Sequence, residues 1–155
     1  MGLTVNGKEI GEEINLSKKG KVEVRGFMRS ALPMDKLEII QNGNIVKEIP
    51  LNGDRKNADF AVTLPVTTSG WILLRTYSNH QKENLDLYPY ATTNSIFVNV
   101  AGKTPNSAED ADYFLTWIDR IEEAAHRATS YIDDEEKSRI IDDIKKARSV
   151  FERKK

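Results

Sequence analysis

Over the first hundred residues, apolar side chains recur mainly at every second position, the period of a half-buried strand. Leu3 to Ile10 is such a run, broken by an Asn6-Gly7 turn, and Glu13-Ile14-Asn15-Leu16 is a short alternating one. Lys21 to Met28 alternates through Val22 and Val24 into Gly26-Phe27. Leu37 to Gln41 and Ile45 to Ile49 flank Asn42-Gly43-Asn44, the strongest hairpin signal in the chain. Pro50 and Asn52-Gly53-Asp54 end that hairpin. Asp59 to Leu64 keeps Phe60, Val62 and Leu64 in phase, and Pro65 closes the run. Trp71 to Tyr77 and Ile96 to Val100 complete about seven or eight short strands, a number and spacing that suggest a sandwich. Trp71 opens the most apolar strand and is the expected core anchor.

The period changes after Gly102-Lys103-Thr104-Pro105-Asn106-Ser107. Ala111, Phe114, Leu115, Ile118, Ile121, Ala125 and Ala128 then mark a helical stripe. Ser107 has the chemistry of an N-cap, with Glu109 and Asp110 favourably placed in the first turn. Asp133 with Glu136 resembles a capping box for a second helix, whose apolar side carries Ile140, Ile141, Ile144, Ala147, Val150 and Phe151. The pattern therefore predicts a mainly β chain: a β-sandwich over 1–102, then an αα-hairpin over 103–155 packed on the sandwich. Tyr113 and Trp117 are expected to cement the helices to the sheet.

Composition narrows the function classes. At 155 residues, 39% hydrophobic and 30% charged, the chain is long and apolar enough for a real core. With 23 Lys+Arg against 24 Asp+Glu, the formal charge of −1 gives no global field for nucleic acid or an anionic membrane. No apolar run approaches the roughly 20 residues of a membrane span. There is no cysteine, which removes disulfides, thiolate metal sites and a Cys nucleophile without fixing the compartment as cytoplasmic or exported. The N-terminal stretch has neither the basic flank nor the apolar segment of a signal peptide.

Candidate chemistry is sparse. The two histidines, His80 and His126, lie outside any metal-binding spacing. His80 reads as a solvated loop residue, and His126 as a helix-surface group within reach of Glu122. Asp133-Asp134-Glu135-Glu136 lacks the alternate spacing and central glycine of a calcium loop, and reads as a helix N-terminus. No nucleophile elbow, Walker or dinucleotide motif occurs. No catalytic residue, metal ligand or cofactor site is expected. The aromatics offer the remaining candidate: Tyr77, Tyr88 and Tyr90 surround a polar loop from Ser78 to Asn94, where ring faces beside Asn and Asp could stack on a carbohydrate. The competing reading is that Tyr88 and Tyr90 anchor that loop to the sandwich.

Four stretches in order carry a resemblance. They are Ala31-Leu32-Pro33-Met34-Asp35-Lys36-Leu37-Glu38-Ile39-Ile40-Gln41-Asn42-Gly43, Ser69 to Arg75, Pro89 to Val98, and Asp112 to Arg120. Together they resemble the C-terminal region of CehA/McbA-type bacterial metallohydrolases, which follows a PHP-like catalytic domain. The resemblance implies an immunoglobulin-like β-sandwich with a helical tail, acting as a bacterial accessory domain. Its implied partner is the upstream PHP-like domain of the same polypeptide, which holds the metal ligands of the parent enzyme. The family pattern has Ala-His-Thr where this chain has Ala91-Thr92-Thr93, so any site built on that His is lost here and Thr92 stands in its place.

Overall fold

The computed structural model describes residues 1–79 and 89–155. The chain divides into two compact units, Met1–Pro105 and Asn106–Lys155. Among the described residues no helix is long and apolar enough to cross a membrane.

The first unit holds ten described strands, two more than the largest number expected. They are β1 (Gly2–Val5), β2 (Lys8–Glu9), β3 (Glu13–Leu16), β4 (Gly20–Arg29), β5 (Lys36–Gln41), β6 (Asn44–Glu48), β7 (Asn57–Val66), β8 (Gly70–Tyr77), β9 (Tyr90–Thr92) and β10 (Ile96–Val100). One sheet runs β2-β1-β4-β7, and the other runs β3-β10-β8-β5-β6 with β9 also paired to β8. Neighbours are antiparallel except β3 and β10, which are parallel. Both tight hairpins use Asn-Gly: Asn6-Gly7 and Asn42-Gly43 occupy positive φ, from 48° to 81°, which this residue pair tolerates best.

Alternation along the strands turns one side of each sheet inward. Leu3, Val5, Val22, Val24, Met28, Leu64 and Val66 from the first sheet join Ile14, Leu37, Ile39, Ile72, Leu74, Ile96 and Val98 from the second in one buried cluster. The two sheets thus share a single apolar core. Trp71 is not in it. Because Ile72 and Leu74 are wholly buried, the strand period points Trp71, Leu73, Arg75 and Tyr77 to the opposite face, where they are half-buried. The expected core anchor is an outward residue.

Asn42 does a second job besides turning the hairpin. Its Oδ1 accepts a hydrogen bond from Trp71 N at 2.8 Å, and its own N–H donates to Trp71 O at 3.1 Å. A Cβ at Gly70 would overlap that Asn42 amide, so only glycine fits there.

The second unit is a pair of helices, α1 (Ala108–Arg127) and α2 (Asp134–Glu152). Ser107 caps α1 by accepting from Asp110 N at 3.1 Å, and Asp133 caps α2 by accepting from Glu136 N at 2.7 Å. Glu136 returns a bond to Ile132 N, one residue earlier than a standard capping box would have it. Ile118, Ala125 and Ile144 form a small buried cluster with Leu115, Ile141 and Phe151 against it. Phe114 stacks on Phe151 at 4.9 Å. Tyr113 and Trp117 are 59% and 46% exposed. Glu122 pairs with Arg148 of α2 at 2.7 Å, not with His126.

Face assignment on β8 has a measurable consequence. Leu74→Ala should destabilise the β unit by about 2–5 kcal/mol, the range for emptying a buried Leu site. Trp71→Ala should cost less, about 1–2 kcal/mol, because the half-buried ring lies outside the core and its removal leaves no enclosed cavity. Urea unfolding followed by circular dichroism checks both, and a larger loss for Trp71→Ala would reverse the facing of the strand.

Candidate interaction face

The outward side of the larger sheet is built around β8. Trp71 lies opposite Phe97 on β10, Leu73 opposite Ile40 on β5, Arg75 between Glu38 on β5 and Thr92 on β9, and Tyr77 between Lys36 and Tyr90. Cross-strand neighbours stand on the same face, so these side chains form one continuous patch. Phe97 is 40% exposed and Tyr90 49%.

A charged pair sits in the middle of this apolar ground. Arg75 donates to Glu38 Oε2 from Nε at 2.9 Å and from Nη2 at 2.6 Å. The Glu38 side chain is 3% exposed and that of Arg75 29%. The accepting Glu38 carboxylate raises the Arg75 guanidinium above its ordinary value, against the opposing effect of desolvation. The same guanidinium lies over the Tyr77 ring, 5.6 Å from its centroid. Beside it, Lys36 bonds Glu48 at 2.6 Å.

The far end of β8 is held by polar staples. Asp35 Oδ1 accepts from Arg55 Nη1 at 2.8 Å, while its Oδ2 accepts from Ser78 Oγ at 3.1 Å and Asn79 N at 2.7 Å. Ser78 N donates to Pro89 O at 2.9 Å. Between β9 and β10 the chain spends three residues, 93–95, against two on β8, which is a β-bulge. The Thr93 hydroxyl accepts from Leu74 N at 3.0 Å, and Thr93 N donates to Leu74 O at 2.9 Å. The bulge keeps Tyr90 and Thr92 in line with Tyr77 and Arg75. A cavity of about 520 Å³ borders Tyr90, Thr92 and Asn94 and reaches Thr76, Met28 and Arg29.

Of the expected site residues, Tyr77, Tyr90 and Thr92 come together on this face. Tyr88 and His80 lie outside the described residues. Sequence reading did not find Phe97, Ile40 or the Glu38–Arg75 pair. One signal was present for the facing: Arg75 shares the parity of Trp71, and an arginine seeks water. Among the described residues, no three His, Asp or Glu side chains are placed to share a metal ion.

No protein-family model, curated protein or solved structure matches this chain.

The buried carboxylate sets a test. Arg75→Leu leaves Glu38 buried without its counter-charge and should cost about 3 kcal/mol. Replacing both together, Glu38→Met with Arg75→Leu, should recover most of that loss. A double-mutant cycle in urea measures the coupling, and near-additive single losses would show that the pair is loosely held.

Proposed function

We propose that this chain is a non-catalytic accessory and interaction domain of a larger PHP-like metallohydrolase, and that it meets the catalytic domain through the outward face of its larger sheet. The observation that carries the reading is the patch of Phe97, Trp71, Leu73, Tyr77 and Tyr90 on a sheet already complete on its other side. Apolar side chains grouped on one open face mark interaction sites, here on either side of the Glu38–Arg75 pair. Tyr and Trp are the residues such sites favour. The identity of the partner rests on the resemblance to CehA/McbA-type proteins.

An immunoglobulin-like reading of the β unit belongs to the same proposal. The orders β1-β4-β7 and β10-β8-β5 follow the A-B-E and G-F-C orders of that fold. A carbohydrate-binding reading has one observation in its favour: Tyr90 borders the cavity bearing Thr92 and Asn94, and Tyr77 lies opposite Tyr90 on the neighbouring strand.

Binding measurements separate the two. The PHP-like domain of the same gene product, added in trans, should bind the chain, and Phe97→Glu or Tyr90→Glu should weaken that binding at least about tenfold (about 1.4 kcal/mol) while thermal melting is unchanged. A reading frame without such a domain, or binding indifferent to both substitutions, refutes the proposal. Calorimetric heat with neutral oligosaccharides that disappears in Tyr90→Ala selects the carbohydrate reading instead.

A further inference from the structure

The smaller sheet ends on β7, and its outer edge is unlike the other edges of the unit. β2 is two residues long and β3 four. β6 has five residues, a register irregularity in its pairing and a lysine, Lys47. Short length, bulges, lysines and prolines are the usual protections of a strand edge, and of these β7 has only Pro65, next to its last residue. β7 runs for ten residues in unbroken register with β4.

Which peptide groups face that edge follows from β4. Asn6 N donates to Glu23 O at 2.8 Å, and Glu23 N donates to Asn6 Oδ1 at 2.8 Å. Odd-numbered residues of β4 thus turn their peptide groups away from β7, and even-numbered ones turn theirs towards it. Antiparallel pairing alternates, so Ala58, Phe60, Val62 and Leu64 spend their N–H and C=O groups on β4. Asn57, Asp59, Ala61 and Thr63 direct theirs outward. Pro65 has no N–H and falls at an outward position, where an edge strand tolerates it. Among the described residues no backbone group pairs with that edge.

We propose that β7 pairs with β7 of a second copy of this chain, antiparallel about a two-fold axis at Ala61, joining the two small sheets into one. The side chains suit this register. Centred on Ala61, Asp59 lies opposite the partner's Thr63, a polar pair with no like charges opposed. The Asp59 carboxylate is already neutralised by Arg29, whose Nη2 reaches both its oxygens at 2.7 and 2.8 Å. On the core side, half-buried Phe60 meets the partner's Val62, an aromatic with a β-branched residue. Every outward peptide group from Asp59 to Thr63 then finds a partner, and the only bonds lost are those Pro65 cannot donate. Centring on Asp59 would oppose two carboxylates, and centring on Thr63 would set Pro65 against Ala61 in the middle of the ladder.

The chain has no cysteine, so single-cysteine variants of the full chain report the register directly. At the axis, the two residues at position 61 would have Cα atoms about 5.5 Å apart, within disulfide reach. The two at position 63 would be offset by about 13 Å. Mild oxidation should therefore convert most of Ala61→Cys to a covalent dimer and leave Thr63→Cys monomeric. In sedimentation the unmodified chain should approach twice its 17.6 kDa as concentration rises. Ala61→Pro, which deletes an outward N–H and spares the β4 ladder, should remain monomeric with an unaltered circular dichroism spectrum. A wild-type monomer at all concentrations overturns the proposal, even one that captures an extended peptide at this edge. So do equal cross-linking at both positions, no cross-linking at 61, or a well-folded Ala61→Pro variant that dimerises undiminished. Should Ala61→Pro unfold, the cysteine pair decides alone.

Discussion

Strand alternation along β8 is the constraint from which the rest of the β unit follows. Ile72 and Leu74 are wholly buried between the sheets, so Trp71, Leu73, Arg75 and Tyr77 have no choice but the other face. β8 is central in its sheet, flanked by β5 on one side and by β10 and β9 on the other. Its facing therefore sets theirs: Ile39 and Ile96 go in, Phe97, Tyr90 and Glu38 go out. A slip of one residue would bury Arg75 between the sheets and expose Leu74, at a cost of several kcal/mol for the charge alone.

The outward face gains its order from polar bonds. Glu38 and Arg75, 37 residues apart in the chain, are joined by two hydrogen bonds to one oxygen. Misregister of β5 on β8 would leave a nearly buried carboxylate alone, so the pair acts against the slip as well as for the match. Asn42 pins the other end of β8, and Asp35 pins the end near Tyr77. Thr93 fills the bulge that lets β9 and β10 share one side of β8. Aromatic rings held on so fixed a frame lose little further freedom when covered, which is what an interaction surface needs.

Much of the secondary structure was legible because local chemistry specifies it. Asn42-Gly43 satisfied the positive φ of its hairpin, and Ser107 and Asp133 cap helices as their side chains predict. What local chemistry does not encode was missed. Trp71-Ile72-Leu73-Leu74 is apolar on both faces, so its period is two but its phase is ambiguous, and size alone pointed to Trp71 as core. The parallel pairing of β3 with β10 joins segments some eighty residues apart, beyond any local signal. β2 and β9 are too short to show a period. Glu122 had a neighbour at i+4 in His126, yet the helix pair offered Arg148, whose planar fork also takes Asp119. For the candidate face, Tyr77, Tyr90 and Thr92 were legible as an aromatic cluster around a loop. Their alignment with Arg75 and Phe97 required the sheet.

Trp71 itself reports most directly on whether that face is open and is used. With Trp117→Phe, Trp71 is the only tryptophan left of two, and its fluorescence can be read without interference. Acrylamide should quench it measurably in the isolated chain, and that access should fall when the proposed partner, a PHP-like domain, is added. A blue-shifted, unquenched emission in the isolated chain would place Trp71 in the core. Quenching unchanged by that domain would contradict the proposed docking through this face.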